Sequence, residues 1–446
     1  MFYINKDKEL TIELLNKMIS KFNTDVKPKL EKNKKYYDGA QAILNKSYTD
    51  TSKPCNKTVT NYCKNIADSY CGYLASPGYI SYRSEQDIEK VMDVLRYNDY
   101  QAEDANFLLN ALVYGTAAEL MYTDLMGKVR FKQIDPTQCF AIYDDSLTND
   151  LLYFVRMYSA DEWDDSNIVN VDVYGDWVIK HYTMSGNNGF LTFVSEDYHY
   201  FNQCPANVWA LPDEKSIFEC IMTLQDAANE LLSSEIDDYS AFCDAYLALT
   251  GMDAEDEDIK QMKENRVLIL PEGAAANWLT KTASDAQVEN ILKRIHDSIY
   301  RIAACPDFSS ESFVGGVSSG IAIRYRLTGM ETRAAKICAE MKKALQRRVE
   351  IIASIASLKL GEEVFRDIQI EFKRNIPEDT TSIINMINTL KGTVSDATLL
   401  SQLDFIQDVN AELEAVEAQK KANIEAYGFG LPNTLDEDEE DEEEAV

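Results

Sequence analysis

Motifs that mark common classes of enzyme are missing from this sequence of 446 residues. Its only histidines are His181, His199 and His296, and none of them belongs to an HExxH motif or stands beside a plausible nucleophile. The nine cysteines contain no CxxC pair and have no histidines at zinc-site spacing. The sequence therefore indicates neither a zinc site nor histidine-assisted catalysis, and we expect reduced, buried thiols.

Long apolar runs are missing as well. No such run approaches 18 residues, and the N-terminus lacks the basic and apolar segments of a secretory signal. We therefore expect neither secretion nor a membrane-spanning helix, and we place the protein in the cytoplasm.

Positive charge is scarce, since 44 lysines and arginines face 75 aspartates and glutamates and the formal net charge is −31. The run 436–444 supplies nine of the acidic residues, and repulsion among them predicts a disordered tail. A protein that grips DNA by neutralising its phosphates needs a basic face. If this protein meets DNA, we expect it to guide the DNA rather than to clamp it.

What the chain does contain is 45% hydrophobic residues. Because single cores seldom grow beyond roughly 250 to 300 residues, we expect two or more substructures in an α+β fold. Residues 9–46 and 56–77 have the spacing of helices, and 105–124 reads as a helix that runs into a strand. Short alternating runs over 129–200 predict a mostly antiparallel β region.

One hairpin turn in that β region is predicted from its residues. Gly175-Asp176 separates two short β-like runs, and glycine accepts the positive φ that a type II′ turn requires.

The second half of the chain is dominated by a helix that we expect from about Ser319 to Leu360, roughly 60 Å long at about 1.5 Å per residue. Gly329 lies within this helix and is expected to weaken or bend its axis. The other predicted segments are helices at 216–242 and 283–304, a small mixed segment at 243–281, a strand at 364–379 and terminal helices.

The stretch SFVGGVSSGIAIRYRL, residues 312–327, has the glycines and serines of a loop that holds a phosphate. It lacks GxxxxGK[ST], because no lysine follows Gly315-Gly316 at the start of the next helix, so no side chain there would reach a β- or γ-phosphate. Two interpretations stay open, a mobile connector between two helices and a functional loop.

Acidic clusters are the candidates for a metal site. The runs at 144–145, 161–165 and 253–258 offer the oxygen ligands that Mg²⁺ prefers, although most such runs are solvated loops. A basic helical face is, in the same way, more often paired with acids than bound to phosphate. The residues of this face are Lys342, Lys343, Arg347 and Arg348.

Three segments carry a resemblance to a known family. They are NKTVTNYCKNIADSYCGYLASP, then NALVYGTAAELMYTDLMGKVRFKQIDPTQCFAIYDD with its YG…E core and its Ile134-Asp135-Pro136, and SSGIAIRYRLTGMETRAAKICAEMKKALQRRVEII. The third is the most specific, because a serine-glycine start, a glycine within the helix and a basic LQRR follow one another. Together the segments resemble the portal proteins of tailed bacteriophages, of the type common among long-tailed phages of Gram-positive hosts.

In that family identical subunits, usually twelve, form a closed ring at one capsid vertex, and double-stranded DNA passes through the central channel. The resemblance therefore implies a structural protein of the virion, assembled in the host cytoplasm, with no catalytic residue, no cofactor and no metal. The implied fold is an α/β wing (1–215), stem helices (216–242 and 282–304), a small mixed α/β clip (243–281), a tunnel loop (305–318), a long kinked wing helix with a returning strand (319–376), a helical crown (377–432) and an acidic tail (433–446).

The resemblance also implies roles for single residues. The tunnel loop would project toward the DNA. Its residue types suit that position, because small, uncharged and flexible residues let DNA of any sequence slide better than lysines do. Gly329 would be the kink of the long helix. The implied DNA-facing residues are Ser309, Ser310, Ser312, Phe313, Val314, Gly315, Gly316, Val317, Ser318 and Ser319.

The partners implied are further copies of the chain, double-stranded DNA, the terminase large subunit, a head-completion or connector protein, and the major capsid and scaffold proteins, with no membrane. Two other hypotheses stay open. One is a metal-dependent nuclease or related DNA-processing enzyme, and the other is a tail or scaffold adaptor without a channel.

Overall fold

Helices and sheets are both present in the computed structural model, in agreement with an α+β fold. The chain divides into two compact units, one of residues 1–317 and 322–376 and one of residues 318–321 and 377–446. The structure describes residues 2–50, 53–159, 168–186, 189–242, 246–250, 273, 275–279, 285–309, 320–355, 366–374, 380–400, 403 and 409–427.

The N-terminal part of the first unit is helical, as predicted. Thr11 caps the first helix, since its Oγ1 accepts from Leu14 N at 3.3 Å, and Pro28 lies in the first turn of the second helix. The elements are strand β1 (Phe2–Ile4), helix α1 (Ile12–Lys21), a π-helical turn (Phe22–Val26), helix α2 (Lys27–Asp38) and a 3-10 turn (Ala42–Asn45).

The prediction of a helix from residue 56 is wrong in its first six residues. Residues 56–61 are not helical, and helix α3 (Tyr62–Leu74) begins where Asn61 accepts a hydrogen bond from Lys64 N. Strand β2 (Ile80–Arg83) follows it. The reason is a set of partners on a distant helix, described below.

A predicted change from helix to strand is confirmed at Gly115. Helices α4 (Glu89–Tyr97) and α5 (Tyr100–Tyr114) precede it, and strand β3 (Thr116–Thr123) follows. Gly115 has a φ of +85°, and a Cβ there would lie 2.8 Å from the backbone carbonyl carbon of Lys215. The position therefore requires glycine, both for its backbone angle and for the close approach of another chain segment.

The strands from 129 to 210 form two sheets, and the mostly antiparallel β region is confirmed. A six-stranded sheet has the order β1–β5–β6–β7–β8–β9, in which only β1 and β5 run parallel. A three-stranded sheet has the order β10–β3–β4. The strands are β4 (Val129–Ile134), β5 (Cys139–Asp144), β6 (Leu151–Ser159), β7 (Ile168–Tyr174), β8 (Val178–Ser185), β9 (Thr192–Tyr198) and β10 (Ala206–Ala210).

The predicted hairpin at Gly175 exists, but its turn type is wrong. The closing bond runs from Gly175 N to Val178 O at 3.0 Å, so the central residues are Asp176 and Trp177. Gly175 does not have a positive φ. A Cβ at this position would lie 3.5 Å from the ring of Tyr153, an ordinary contact distance, so neither the backbone angle nor crowding requires glycine here.

Long helices return after β10. These elements are a 3-10 turn (Glu219–Ile221), α6 (Met222–Phe242), β11 (Tyr246–Thr250), β12 (Ala275–Leu279), α7 (Asp285–Ala303), α8 (Gly320–Ala353) and β13 (Gln369–Phe372). The second unit contains α9 (Thr380–Leu390), α10 (Asp396–Leu400) and α11 (Val409–Tyr427), so the terminal helices are confirmed.

Three predicted boundaries in this half need correction. Helix α6 begins at Met222 rather than at 216, and the strand predicted at 364–379 contains four residues that pair with β2. Helix α8 ends at Ala353 rather than near Leu360, since Ser354 leaves the helix and its Oγ bonds back to Ile351 O at 2.7 Å. Its 34 residues span about 51 Å.

Helix α8 continues without interruption across Gly329, where a Cβ would lie 4.0 Å from the side chain of Ala304. The bend at this glycine stays a prediction. No helix in the described ranges is both long and apolar enough to cross a membrane.

A buried ion cluster joins α5, β3 and α8 at the centre of the main hydrophobic core. Arg348 of α8 is 0% exposed, and its Nε and NH2 donate to the two carboxylate oxygens of Glu119, both at 2.8 Å. Its NH1 donates to Asp104. Burial alone would lower the pKa of Arg348, but the charges of Glu119 and Asp104 outweigh it and hold that pKa above its ordinary value.

The cluster leaves few of its polar atoms without a partner. Asn207 Nδ2 donates to Glu119 Oε1 at 2.6 Å and to Ala344 O at 2.8 Å, and Tyr82 OH donates to Asp104 Oδ2 at 3.0 Å. The guanidinium also lies 4.6 Å from the ring centroid of Phe131. Because these partners come from four strands and two helices, the cluster sets how α8 lies on the sheet and on α5.

We expect the substitution Arg348→Met to lower the free energy of unfolding by about 3–5 kcal/mol, because it leaves two carboxylates buried without a cation. Urea denaturation followed by tryptophan fluorescence measures this change. Lys342→Met, an exposed position on the same helix, is the matched control and should change stability by less than about 0.5 kcal/mol. Equal stability of the two variants would contradict the role given to the cluster.

Candidate functional site at the base of the loop

The loop between α7 and α8 is the predicted functional segment, and the structure describes its first part as far as Ser309. Ser309 N and Oγ donate to Asp307 Oδ1 at 3.0 and 2.7 Å, which closes a small turn at the start of the loop. The other predicted DNA-facing residues lie outside the described ranges, and their role stays a prediction. They are Ser310, Ser312, Phe313, Val314, Gly315, Gly316, Val317, Ser318 and Ser319.

Two side chains hold the loop base, which we define as residues 303–309. Tyr70 OH donates to the carbonyl oxygens of Ala303 and Ala304 at 3.0 and 3.1 Å. Arg333 NH1 donates to the Ala303 carbonyl at 3.1 Å. The last carbonyls of a helix have no partner within it and carry the negative end of its dipole. A hydroxyl and a guanidinium therefore both satisfy and stabilise the end of α7.

Arg333 also ties the loop base to the segment that leads into α6. Its NH2 donates to Ile217 O at 3.1 Å. One guanidinium on α8 thus joins the end of α7 to the start of the segment before α6, and α6 and α7 pack against each other. A lysine at this position would offer a single point charge instead of the fork that reaches both carbonyls.

Further contacts fix the loop base to α3. Burial raises the pKa of the Cys305 thiol to about 12, so this thiol stays protonated and packs as an apolar group. His296 Nε2 lies 3.5 Å from Asp307 Oδ2, and the His296 ring lies 5.7 Å from that of Tyr62, centroid to centroid. These contacts hold the loop base in place against α7 and α3.

Side chains on α6 bind the backbone before α3, and we call this row of four the polar ladder. Residues four apart on α6 accept hydrogen bonds from every second N–H of the segment, with N···O distances of 2.6 to 2.9 Å. The pairs are Gln225 Oε1 with Tyr62 N, Asn229 Oδ1 with Thr60 N, Ser233 Oγ with Thr58 N, and Asp237 Oδ1 with Asn56 N.

The spacing of the polar ladder explains why residues 56–61 are not helical. Four residues of an α-helix rise about 6.0 Å, and two residues of an extended chain span about 6.6 Å, so the two repeats stay in step over four contacts. All four side chains on α6 are buried. The ladder supplies the hydrogen bonds that a helix would otherwise have made for this backbone.

The histidines in the β region hold strands together. His181 Nδ1 lies 2.7 Å from Asp172 Oδ1, and its Nε2 lies 3.2 Å from Asp197 Oδ2, which links β7, β8 and β9. His199 Nε2 lies 2.9 Å from Gly175 O, and burial lowers the pKa of His199. Both ring nitrogens of His181 therefore have partners within the sheet, whereas His199 Nδ1 is buried without a hydrogen-bond partner.

The acidic clusters show no metal-site geometry where the structure describes them. Asp144 accepts from Ser146 Oγ and Asp150 N, both at 2.7 Å, and so closes the hairpin between β5 and β6. The runs 161–165 and 253–258 lie outside the described ranges. Within those ranges, no three His, Cys, Asp or Glu side chains lie close enough together to hold a metal ion.

Sequence reasoning missed Tyr70 and Arg333 as anchors, because their partners are backbone carbonyls that carry no sequence signal. The polar ladder did have a signal. Gln225, Asn229 and Asp237 recur at multiples of four on the helix whose apolar stripe identified it, and this second stripe predicts a polar contact along its length.

We expect Asn229→Leu to destabilise the protein by about 1–3 kcal/mol, because it leaves the half-buried Thr60 N–H without its acceptor. Hydrogen–deuterium exchange should show faster exchange over residues 56–62. Ser240→Ala, at an exposed position on the same helix, is the control and should change neither quantity. Unchanged exchange in Asn229→Leu would show that the ladder does not hold this segment.

The polar ladder should also depend on pH through Asp237. Burial opposes ionisation of Asp237, but hydrogen bonds from Asn56 and Lys46 outweigh it and place its pKa below the ordinary value. A carboxyl with a lowered folded pKa stabilises above its unfolded pKa of about 3.9 and loses that contribution as the pH falls further. We expect Asp237→Asn to cost about 1–2 kcal/mol at pH 7, and urea denaturation should show the difference vanish near pH 2. A difference independent of pH would contradict the assignment.

Residues of the motifs that carried the resemblance meet in the fold. The glycine of YG…E is Gly115, whose positive φ turns α5 into β3, and its glutamate is Glu119, the bidentate partner of Arg348 in LQRR. Asp135 accepts from Thr137 N at 2.9 Å and pairs with Lys34 at 3.4 Å. These residues therefore maintain the fold.

Comparison with known proteins agrees with this arrangement. A family model described as "Phage portal protein, SPP1 Gp6-like" matches residues 12–426. The chain is also 21% identical over 445 residues to a protein named "Portal protein" from Bacillus phage SPP1, which covers 93% of this chain and 84% of that protein. Because the family model spans nearly the whole chain, this chain belongs to the SPP1 Gp6-like family of phage portal proteins.

Proposed function

We propose that identical copies of this chain close into a ring at one capsid vertex and that double-stranded DNA enters and leaves through the central channel. Membership of the portal family makes the protein a structural component of a bacteriophage capsid with a part in DNA packaging. The ring, the channel and the partners named below are the finer part of the proposal.

The observation that carries the proposal is the way the loop base is held. Tyr70 and Arg333 bind the end of α7 on one side of the loop, and the Arg348 cluster holds α8 beyond the other side. A loop that guides a moving strand must start from fixed ends, since otherwise the force on the loop would displace the helices. Anchors of this kind serve that purpose.

The residue types of the loop support a smooth wall. Residues 305–319 contain no lysine or arginine and include two adjacent glycines and five serines. Lysines would bind phosphates and slow the passage of DNA, whereas small uncharged residues let any sequence slide. The net charge of −31 would repel DNA at longer range and prevent tight binding.

The proposed division of the chain follows its connections. Helices α6 and α7 would be the stem, with the β11–β12 pair between them in the clip, which would dock the terminase large subunit and later a head-completion or connector protein. The boundary between the two compact units at Pro377 supports a separate crown. The wing, up to residue 215, would contact the major capsid and scaffold proteins.

We expect purified protein to form rings whose central opening admits double-stranded DNA, as seen by light scattering and negative-stain electron microscopy. The double substitution Gly315→Lys and Gly316→Lys should leave these rings intact and lower several-fold the amount of DNA that procapsids protect from nuclease, because the new charges bind phosphates. Gly315→Ser with Gly316→Ser is the matched control and should package normally.

Two outcomes would overturn the proposal. The first is a monomer or dimer that cleaves DNA in a metal-dependent reaction, which would favour a DNA-processing enzyme. The second is normal packaging by the lysine variant in intact rings, which would place the loop away from the DNA.

A further inference from the structure

The outer strand β9 is one surface that no described residue covers. It forms one end of the six-stranded sheet, so one row of its backbone groups has no described strand beside it. All seven of its residues are exposed, and large apolar side chains gather there: Tyr198 is 73% exposed, Tyr200 74% and Trp177 55%. Aromatic side chains at this density are typical of protein interfaces.

The charge of this end of the sheet is acidic. Asp176 lies in the turn between β7 and β8, Glu196 and Asp197 lie on β9, and all three are exposed. Lys180 stands opposite Glu196 in the register and offsets part of this charge. We call Asp176, Glu196, Asp197 and the three aromatic residues the β9 edge.

Helix α2 is the second uncovered surface, and its charge is opposite. In a chain of net charge −31 its 12 residues contain five lysines against Glu31 and Asp38. Lys29, Lys32 and Lys35 are exposed and form no ion pair with any described residue. A row of lysines without acidic partners is costly through self-repulsion unless something acidic covers it.

The two surfaces lie at opposite ends of the same sheet. Leu30 of α2 lines a small apolar cavity of about 70 Å³ together with Phe2 of β1 and Phe140 of β5. Strand β9 is four strands beyond β5, roughly 19 Å away along the sheet at about 4.8 Å per strand. The β9 edge and α2 of one subunit therefore cannot cover each other.

We propose that the β9 edge of one copy of this chain docks on the lysine face of α2 in the next copy. A contact between two different surfaces at opposite ends of a subunit is the kind that closes identical copies into a ring. The carboxylates would pair with the lysines, and the lysine ammonium groups would also lie on the faces of the tyrosines and the tryptophan. This inference rests on the proposed ring and adds the surfaces that build it.

Charge reversal tests the docking. We expect Lys32→Glu with Lys35→Glu, and separately Asp176→Lys with Glu196→Lys, each to raise about tenfold or more the concentration at which rings form, because like charges then face each other. All four substitutions together should restore assembly. Analytical ultracentrifugation and negative-stain microscopy in about 0.15 M salt measure this, where exposed charges act over about 8 Å.

The controls separate this inference from the proposed function. Lys336→Glu with Lys342→Glu makes the same change in charge on α8 and should leave assembly unchanged, and circular dichroism of each variant checks its fold. Normal rings from either reversed pair, or no recovery in the fourfold variant, would overturn the docking while the ring itself stands. Normal rings from β9 variants that fail to enter capsids would assign the β9 edge to the capsid protein instead. Absence of rings from the unaltered protein would overturn the proposed function itself.

Discussion

The buried pairing of Arg348 with Glu119 and Asp104 is the constraint on which the rest of the first unit depends. The two carboxylates and the guanidinium have only 0–1% of their side-chain area exposed. Buried charges are stable only when opposite charges and hydrogen bonds compensate for the lost water, and these three groups do so for one another. Glu119 sits on β3 directly after the glycine turn that ends α5, and Arg348 sits near the end of α8. The cluster therefore fixes the position of α8 on the sheet. Because α8 is one continuous helix, the position of Arg333 nearer its start is fixed as well.

Helix α8 also provides one of the side chains that hold the loop base. Arg333, four turns before Arg348, binds the end of α7 and the segment before α6 at once, and Tyr70 of α3 also donates to the Ala303 carbonyl that Arg333 binds. The polar ladder then fixes α6 along its length to the chain before α3. Hydrogen bonds to backbone carbonyls and amides do this work, and they hold position without requiring any particular chemistry in the loop. This suits a protein whose family role is structural.

Charge is distributed unevenly over an acidic chain. The loop from 305 to 319 has no basic residue, whereas α2 has five lysines in 12 residues. If the lysines and arginines were spread evenly over the chain, every surface would be acidic and would repel the surfaces of other copies. Concentrating cations on one helix, at the far end of the sheet from an acidic aromatic edge, gives each copy two surfaces of opposite charge, whereas the loop itself carries no lysine or arginine.

The sequence by itself determined the α+β class, most helices, the antiparallel β region, the turn from helix to strand at Gly115 and the membership of the portal family, because hydrophobic spacing, glycine and short motifs act locally. Only the tertiary structure decided that residues 56–61 are not helical and that Arg348 is buried while Lys342 and Lys343 are exposed. Each of these depends on partners far away in the chain, such as the side chains of α6 or the carboxylate of Glu119, and spacing along a sequence carries no record of what a distant segment will bring into contact.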